Sequence, residues 1–508
     1  MAYLIGTDIG TSGTKTVLFD EIGNTIATSM YEYEMYQPQN GWAEQNPNDW
    51  WEAVYKSIND VITKSGIHNS QIKGVGLSGQ MHGAVLIDKN GEVLRDAIIW
   101  CDQRTQTECD EMTYTIGKEN IIKITANPAL TGFTASKILW IRKHQPQLYD
   151  KTYKILLPKD YIRYKLTGEF ATEVSDASGM QLMDIKERKW SDEVLDKLQI
   201  DKSLLATMYE SCEATGQITK QAAKLTRLKE GTIVAGGAGD QAAGAVGNGI
   251  VRSGIISSTI GTSGVVFAHS DTVEIDMKGR VHTFCHAIPN AWHVMGVTKG
   301  AGLSLKWFRD NFCYEQIEQG KKEGIDPYII MDKMAKEIPI GSNGLLYLPY
   351  LMGERTPHLD PDARGVFFGL SASHKKANLI RAILEGVVFG MNDGLEIIKE
   401  MGISAKEIRA SGGGGQSELW RQMQADIFKT DITTINSKEG GALGVAILAG
   451  VASGIYPDVV SACDNIIKVT NTQHVNESNS QKYKKSYELY KKLYVSLKDD
   501  FKQIKGIL

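Results

Sequence analysis

The chain has 508 residues and a mass of 56.0 kDa, and 42% of its residues are hydrophobic, so it can build two substantial lobes with separate cores. Its net charge of −4 is spread among interspersed acidic and basic residues, which excludes a basic stripe for nucleic acid or an anionic membrane. The six cysteines show no C-x-x-C spacing, which is typical of reduced cytosolic thiols and argues against a zinc site.

The N-terminus enters a strand-like run, Tyr3-Leu4-Ile5, within a few residues. This leaves no room for a basic and apolar leader, and no apolar run along the chain reaches the length of a membrane span. We therefore expect a cytoplasmic protein without a membrane partner.

The string Ile-Gly-Thr-Ser-Gly occurs at residues 9–13 and again at 260–264, each time interrupting a strand-like run. Glycines allow close approach of the backbone to a ligand, and successive N–H groups with small hydroxyls form a nest for phosphate. Two ordinary hairpin turns are the alternative, which an identical pair makes weak. The repeat predicts two lobes that close on one polyphosphate, with these nucleotide-binding residues: Thr11, Ser12, Gly13, Lys15, Gly261, Thr262 and Ser263.

The two copies differ in the residue that precedes them, which is Asp8 in the first and Thr259 in the second. A carboxylate beside a phosphate nest repels the phosphate unless a cation lies between them. Asp8 is therefore predicted to be a ligand of Mg²⁺ and a member of the catalytic site.

Strand-like runs alternate with helical patterns in both halves, which predicts a mixed α/β fold. One helix is predicted over residues 49–62, with capping residues at 46–48. The phosphate-loop repeat restarts the strand-turn-strand order just after residues 244–253. We therefore divide the chain into a first lobe, 1–248, and a second lobe, 249–508.

Two polar segments of the first half are candidates for sugar binding. Residues 77–83 include Gln80, Met81 and His82, whose polar groups can donate to and accept from hydroxyls, although a lone histidine is more often structural. Trp42 and Asp102 could offer an aromatic face and a charge to a polyol. Their alternative is a core tryptophan beside a surface ion pair.

Asp240 follows the glycine-rich stretch 231–239 and begins a run of small residues, 241–245. It could simply cap a helix. A carboxylate at a glycine turn between two phosphate loops is also where a general base is needed, because phosphoryl transfer requires a positioned hydroxyl whose proton is accepted late. We predict that Asp240 is the catalytic base and also contacts the sugar.

The four glycines of residues 411–417 would let adenine or ribose lie directly on the backbone, and the following helix start offers N–H donors. A turn that only packs against a neighbour is the alternative. The predicted nucleotide contacts here are Gly413, Gly414, Gly415 and Ser417. Near the C-terminus, Tyr483, Tyr487, Tyr490, Tyr494, Leu497 and Phe501 recur at helical spacing and predict a helix docked on a lobe, with a membrane-surface role as the alternative.

Asp8 with the first loop, residues 132–144, and residues 365–370 leading to 378–385 resemble the paired signatures of the FGGY carbohydrate kinases. The resemblance covers nearly the whole chain. It implies an α/β fold of two actin-like, ribonuclease-H-type lobes that flank a catalytic cleft, joined by a hinge. It also implies ATP with Mg²⁺, Asp240 as base, and Asp8 in contact with metal and phosphates.

Within this family, residues 78–83, 157–161, 239–247 and 353–358 look like the members that act on D-xylulose, which implies transfer to its 5-hydroxyl. Gln241 departs from that pattern, where asparagine is common, as does the triplet 101–103, where Asn-Asp-Gly is common. These changes could reshape the pocket.

Several alternatives therefore stay open. Other kinases of the family act on ribulose, ribitol or glycerol. An acidic substrate such as gluconate would need extra cations, and residues 80–82 supply none that is reliably charged at neutral pH, so a neutral sugar is favoured. An actin-like, nucleotide-driven binding protein without sugar kinase activity is the alternative from another class, and Asp240 argues against it. The sequence is compatible with a homodimer.

Overall fold

The computed structural model describes residues 1–505, in which two seven-stranded mixed sheets form the centres of two lobes. The first sheet has the strand order Ala214–Gln217, Ile233–Ala235, Ile72–Gly79, Tyr3–Ile9, Gly13–Asp20 and Thr25–Glu32, with Ala238–Gly239 also paired to Ile72–Gly79. The second has the order His282–Cys285, Trp292–Thr298, Gly264–Ser270, Gly254–Ile260, Ala405–Ser411, Ile432–Ile435 and Val469–Gln473.

The two sheets share a central topology. In each, an antiparallel hairpin contains one copy of the repeated loop as its turn, and the first strand of the hairpin pairs in parallel with a strand from much later in the chain. The predicted two-lobed α/β fold is confirmed. The turns of both hairpins lie where a strand ends beside its parallel neighbour, which is the edge at which α/β proteins bind ligands.

Helices cover both sheets. The α-helices are Pro47–Ser65, Gln106–Ile116, Lys118–Thr125, Thr134–His144, Pro146–Tyr149, Pro158–Thr167, Val174–Ala177, Asp192–Leu198, Lys220–Thr226, Asp240–Gly247, Ala301–Phe312, Tyr314–Glu323, Pro327–Lys336, Lys376–Glu400, Glu418–Phe428, Gly440–Ala452, Val459–Ile466 and Glu477–Lys505. Short 3₁₀ helices are Asn69–Gln71, Ser178–Met180, Lys202–Leu204, Ser342–Gly344 and Gly414–Gln416. Short strand pairs are Glu44–Gln45 with Ala97–Ile98, Val85–Ile87 with Lys154–Leu156, Ala171–Glu173 with Thr207–Tyr209, Met183–Asp184 with Lys189–Trp190, and Leu346–Leu348 with Val366–Phe368. In residues 1–505, every helix is too short or too polar to cross a membrane.

One helix from late in the chain, Gly440–Ala452, packs on the face of the first sheet. The approach requires glycine in the strands, because a Cβ atom on Gly6 would lie 1.8 Å from the carbonyl oxygen of Ala442, and one on Gly76 would lie 1.9 Å from that of Val445. The result is that a segment of the second half completes the core of the first lobe.

The helix Asp240–Gly247 makes the reciprocal contact. Its Ala245 packs in a cluster with Val265 and Phe267 of the second sheet, and the helix also crosses Gly440–Ala452 closely. The lobe boundary at residue 248 stays a prediction, since these two helices contact both lobes. Residues 506–508 of the predicted second lobe lie outside the described residues.

The C-terminal helix docks on the second lobe. Tyr483, Tyr490 and Phe501 are buried in the main cluster of that lobe, and the other residues of the predicted stripe pack against the same cluster. A helix with one apolar face gains its stability by burying that face. The lysines among residues 477–504 accordingly lie exposed on the other side of the helix.

Candidate active site

The two repeated loops have matching geometry. The N–H of Gly10 donates to the carbonyl of Gly13 at 3.0 Å, and the N–H of Gly261 donates to that of Ser263 at the same distance. In the parallel strand pairs, Asp8 lies beside Ser78 and Thr259 lies beside Ser411. Both pairs are hydrogen bonded at 2.7 Å. The loops are therefore structural counterparts, and only the first carries a carboxylate.

Residues from the predicted sugar segments brace the first loop. The carbonyl of Thr11 accepts from Gln45 Nε2 at 2.7 Å, and its hydroxyl accepts from Trp100 Nε1 at 2.9 Å. Gln80 Nε2 donates to Gln45 Oε1 at 2.8 Å. Gln80 is thus engaged with the protein, and its contact with a sugar stays a prediction. Ser12 is exposed at the tip of the loop.

Asp8 lies against the start of the helix Gly440–Ala452. A Cβ atom on Gly441 would approach Asp8 Oδ2 to 3.3 Å, so glycine keeps this side of the carboxylate clear. Burial raises the pKa of Asp8, while the hydrogen bond from Ser78 and the charge of Lys15 lower it. Lys15 itself forms an ion pair with Glu439, which connects the first loop to this helix.

Asp240 is the first residue of its helix, and the N-cap is Gly239, which has no side chain to cap with. The Asp240 carboxylate therefore does not fill the capping role at this helix start. Burial and the neighbouring charge of Asp8 raise its pKa to about 7. Asp8 and Asp240 thus lie close enough to repel each other, which makes the space around them favourable for a cation.

Residues 1–505 contain no group of three or more histidine, cysteine or carboxylate side chains that could hold a metal alone. Mg²⁺ usually binds through one or two carboxylates together with substrate phosphates and water. Asp8 would be the protein ligand, because it stands directly beside the first phosphate loop.

A buried network holds the turn that carries Asp240. Lys159 lies within 3.2 Å of carboxylates on three sides. Arg163 donates to the carbonyl of Gly236, and Gly239 N–H donates to Ser175 Oγ at 3.1 Å. Such a buried network of ion pairs and hydrogen bonds fixes the backbone on which a catalytic side chain depends. In the sequence, only the motif at residues 157–161 indicated this network.

His82 adopts a positive φ of 72°, and its Nδ1 donates to the carbonyl of Gly179 at 3.0 Å. This leaves Nε2 as an acceptor. Burial and the charge of Lys137 lower the pKa of His82 to about 3, so the ring is neutral at physiological pH. Met81 is buried beside it and packs against Gly239. The segment can therefore accept a hydrogen bond from a hydroxyl next to the Asp240 turn.

Trp42 and Asp102 belong to a stacked ion pair. Asp102 is fully buried, accepts from the backbone N–H of Ala43 at 2.6 Å, and pairs with Arg104 at 2.7 Å. The guanidinium of Arg104 lies 3.6 Å from the centre of the Trp42 ring. These groups satisfy one another, and their contact with a sugar stays a prediction.

Two cavities meet at the glycine turn 411–417. One of about 570 Å³ is lined by the predicted residues Gly261, Thr262, Gly413, Gly414 and Ser417, together with residues that sequence reasoning missed: Leu303, Lys306, Asp326, Tyr328, Ile329, Asp332 and Trp420. The other, of about 780 Å³, is lined by Asp240, Gly413, Gly415 and Gly441 among others. Thr11, Ser12, Gly13 and Ser263 line neither. Both volumes suit a small ligand.

This fold and site define a class of protein, and the chain belongs to the FGGY family of carbohydrate kinases. The model of the family's N-terminal domain matches residues 3–247, and that of its C-terminal domain matches residues 256–453. Kinases of this family use ATP.

Among individual proteins, the chain is 39% identical to the xylulose kinase of Bacillus subtilis (strain 168) over 503 residues, or 98% of each chain. It is 34% identical to the gluconokinase of Bacillus licheniformis over 507 residues, which is 99% of this chain and 98% of the relative. The structure of the ligand-bound xylulose kinase of Lactobacillus acidophilus superimposes with a TM-score of 0.91 at 27% identity, covering 99% of this chain and all of the other.

Proposed function

We propose that this protein transfers the γ-phosphoryl group of Mg-ATP to the 5-hydroxyl of D-xylulose, with Asp240 as the general base. The observation that carries the proposal is the position of Asp240, which begins a helix close enough to Asp8, the residue before the first loop, for the two carboxylates to interact. The choice of D-xylulose is supported by the 39% sequence identity to the B. subtilis xylulose kinase over 98% of this chain.

In this mechanism, the adenosine of ATP occupies the cavity of about 570 Å³, where Tyr328, Ile329 and Trp420 offer apolar surface to a flat base. The N–H groups of the two repeated loops hold the phosphates. Asp8 would hold Mg²⁺, and the bound ion would neutralise phosphate charge. Asp240 orients the sugar hydroxyl and accepts its proton as the phosphoryl group is transferred.

A second candidate substrate is gluconate. It is favoured by Lys299 and Arg355, two adjacent cations of the second lobe that form no salt bridge among residues 1–505, and the charge of Arg355 acts on His82. The 34% identical gluconokinase agrees with it. These cations supply what residues 80–82 lack.

An assay of ADP release across ketoses, polyols and aldonic acids tests the proposal. We expect D-xylulose to give the highest kcat/KM and ATP hydrolysis without sugar to be slow. A higher kcat/KM for gluconate, ribulose, ribitol or glycerol would replace the substrate. Rapid hydrolysis that no sugar accelerates would favour the nucleotide-driven binding protein instead.

The pH dependence should report Asp240. Because its pKa is raised to about 7 and a base must be ionised, kcat/KM for Mg-ATP is expected to fall about tenfold per unit as the pH drops below 7 and to level off above it. The measurement is a rate profile from pH 5 to pH 9, with stability checked at each end. A profile that stays level down to pH 5 would contradict this assignment.

His82→Asn is expected to raise the KM for D-xylulose by roughly tenfold with little change in the KM for ATP, since a site built for a hydroxyl loses its acceptor. Asparagine tolerates the positive φ that alanine would strain, so the turn is retained. His68→Asn, at an exposed histidine in a turn of the first lobe, is the matched control. An unchanged sugar KM and substrate preference would move recognition away from His82.

A further inference from the structure

Lys299 and Arg355 stand side by side in the wall of the second lobe. Their backbone N–H groups both donate to the same oxygen, Glu354 Oε1, at 2.9 and 2.7 Å. The other oxygen of Glu354 accepts from the hydroxyl of Thr298. The carboxylate is therefore occupied by backbone and hydroxyl donors, and it holds the two cationic residues next to each other.

Neither head group forms a salt bridge among residues 1–505, and Glu354 is a counter-charge that both cations share. Among residues 1–505, no carboxylate oxygen lies within 4.0 Å of either head group. Other cations in the same residues do form salt bridges within this distance. Lys299 Nζ reaches only the carbonyl of Met352, at 3.4 Å, and the guanidinium of Arg355 has no hydrogen-bond acceptor in the described part of the chain. Burial and the charge of Arg355 lower the pKa of Lys299, while the charge of Glu354 raises it.

Arg355 acts electrostatically on the sugar segment. The charge of Arg355 acts on the rings of His82, from the first lobe, and His282, from the second, and it helps to lower the pKa of both. His282 Nδ1 is bonded to Asn127 Oδ1 at 2.8 Å, and its buried Nε2 lacks a partner among residues 1–505. The guanidinium of Arg355 and Nε2 of His282 thus both lack hydrogen-bond partners among residues 1–505, and the charge of Arg355 acts on that ring.

Two half-buried cations that share one carboxylate keep an excess of positive charge, which costs free energy unless a ligand supplies an anion, and arginine with lysine is a common pairing for oxyanions. We propose that Lys299 and Arg355 form an oxyanion subsite that completes the substrate site from the second lobe. The inference rests on the proposed function and deepens it. The oxyanion is one of two groups. It is either the phosphoryl group, during its transfer and then on the phosphorylated sugar, or the carboxylate of an aldonic acid.

The test is calorimetric binding of D-xylulose 5-phosphate, D-gluconate and D-xylulose to the wild type, Lys299→Met, Arg355→Met and the control Arg227→Gln, a surface arginine of the first lobe. Loss of a charge-assisted hydrogen bond weakens binding by roughly ten- to hundredfold. We expect both methionine variants to show this loss for an anionic ligand, with D-xylulose affected less than about threefold. Loss for the phosphate ester alone assigns the phosphoryl source, and loss for gluconate alone assigns the carboxylate source.

The inference would be overturned if each anion bound the variants as tightly as it bound the wild type, or if the wild type bound neither anion. Arg355→Lys and Lys299→Arg keep the charge and should lose less affinity than the methionine variants, so they decide the matter if a methionine variant does not fold. Binding is measured without turnover, which separates the two proposals. Anion binding that depends on this pair in a protein inactive toward sugars would overturn the proposed function alone.

Discussion

Replacing Asp240 with asparagine is expected to lower kcat by at least about 100-fold while ATP and sugar still bind, the scale usual for loss of a positioned general base. Asparagine has nearly the same shape and cannot accept a proton at neutral pH. The buried supports of the turn, such as Arg163 on Gly236, do not involve the Asp240 side chain, so the backbone should be retained.

Steady-state turnover and calorimetric binding on the same preparations measure this result. Asp192→Asn is a matched control, because Asp192 also stands in the first turn of a helix and is exposed to solvent. Turnover near that of the wild type in Asp240→Asn would reduce Asp240 to a structural residue and remove the main support for the proposed mechanism.

The phosphate loops could be predicted from sequence because their chemistry is local. A glycine turn between two strands specifies its own geometry, and the same five residues in a second place predict the same turn. Glycines within strands carried a further signal. Gly6 and Gly76 mark close backbone approach, and the structure shows that a helix starting at Gly440 is what approaches them.

The exchange of helices between lobes could not be predicted, because it depends on which surfaces pack after the chain has folded. The same holds for the Lys299 and Arg355 pair. Fifty-six positions separate them in the chain, and they are brought together by the shared carboxylate of Glu354 and by the hydrogen bonds between Thr356 and Val297. Trp42 and Asp102 show a different limit of prediction from sequence, because a residue type does not specify its partner. Their residue types suit a polyol, and the structure also pairs them with Arg104 and the backbone of Ala43, so their contact with a sugar stays a prediction.

Replacing Asp8 tests the other half of the site. Asp8→Asn is expected to raise the KM for Mg-ATP by at least about tenfold and to lower kcat, because Mg²⁺ loses its protein ligand while the sugar segment is untouched. Ser78→Ala is the matched control, since it removes only the 2.7 Å hydrogen bond to Asp8 and keeps the carboxylate, so its effect should be several times smaller.

The same variant should also change the titration of Asp240. The charge of Asp8 is one of the two causes that raise the pKa of Asp240 to about 7, so its removal leaves burial as the remaining cause, and the pKa should fall. The base is then ionised over a wider range, and the acidic limb of the kcat/KM profile should move to lower pH even though the rate is lower. Rate profiles of the wild type, Asp8→Asn and Ser78→Ala measure this shift together with the Mg²⁺ dependence. If Asp8→Asn keeps the wild-type Mg²⁺ dependence, ATP KM and acidic limb while the sugar KM alone rises, Asp8 belongs to sugar binding and the facing carboxylates do not act as one site.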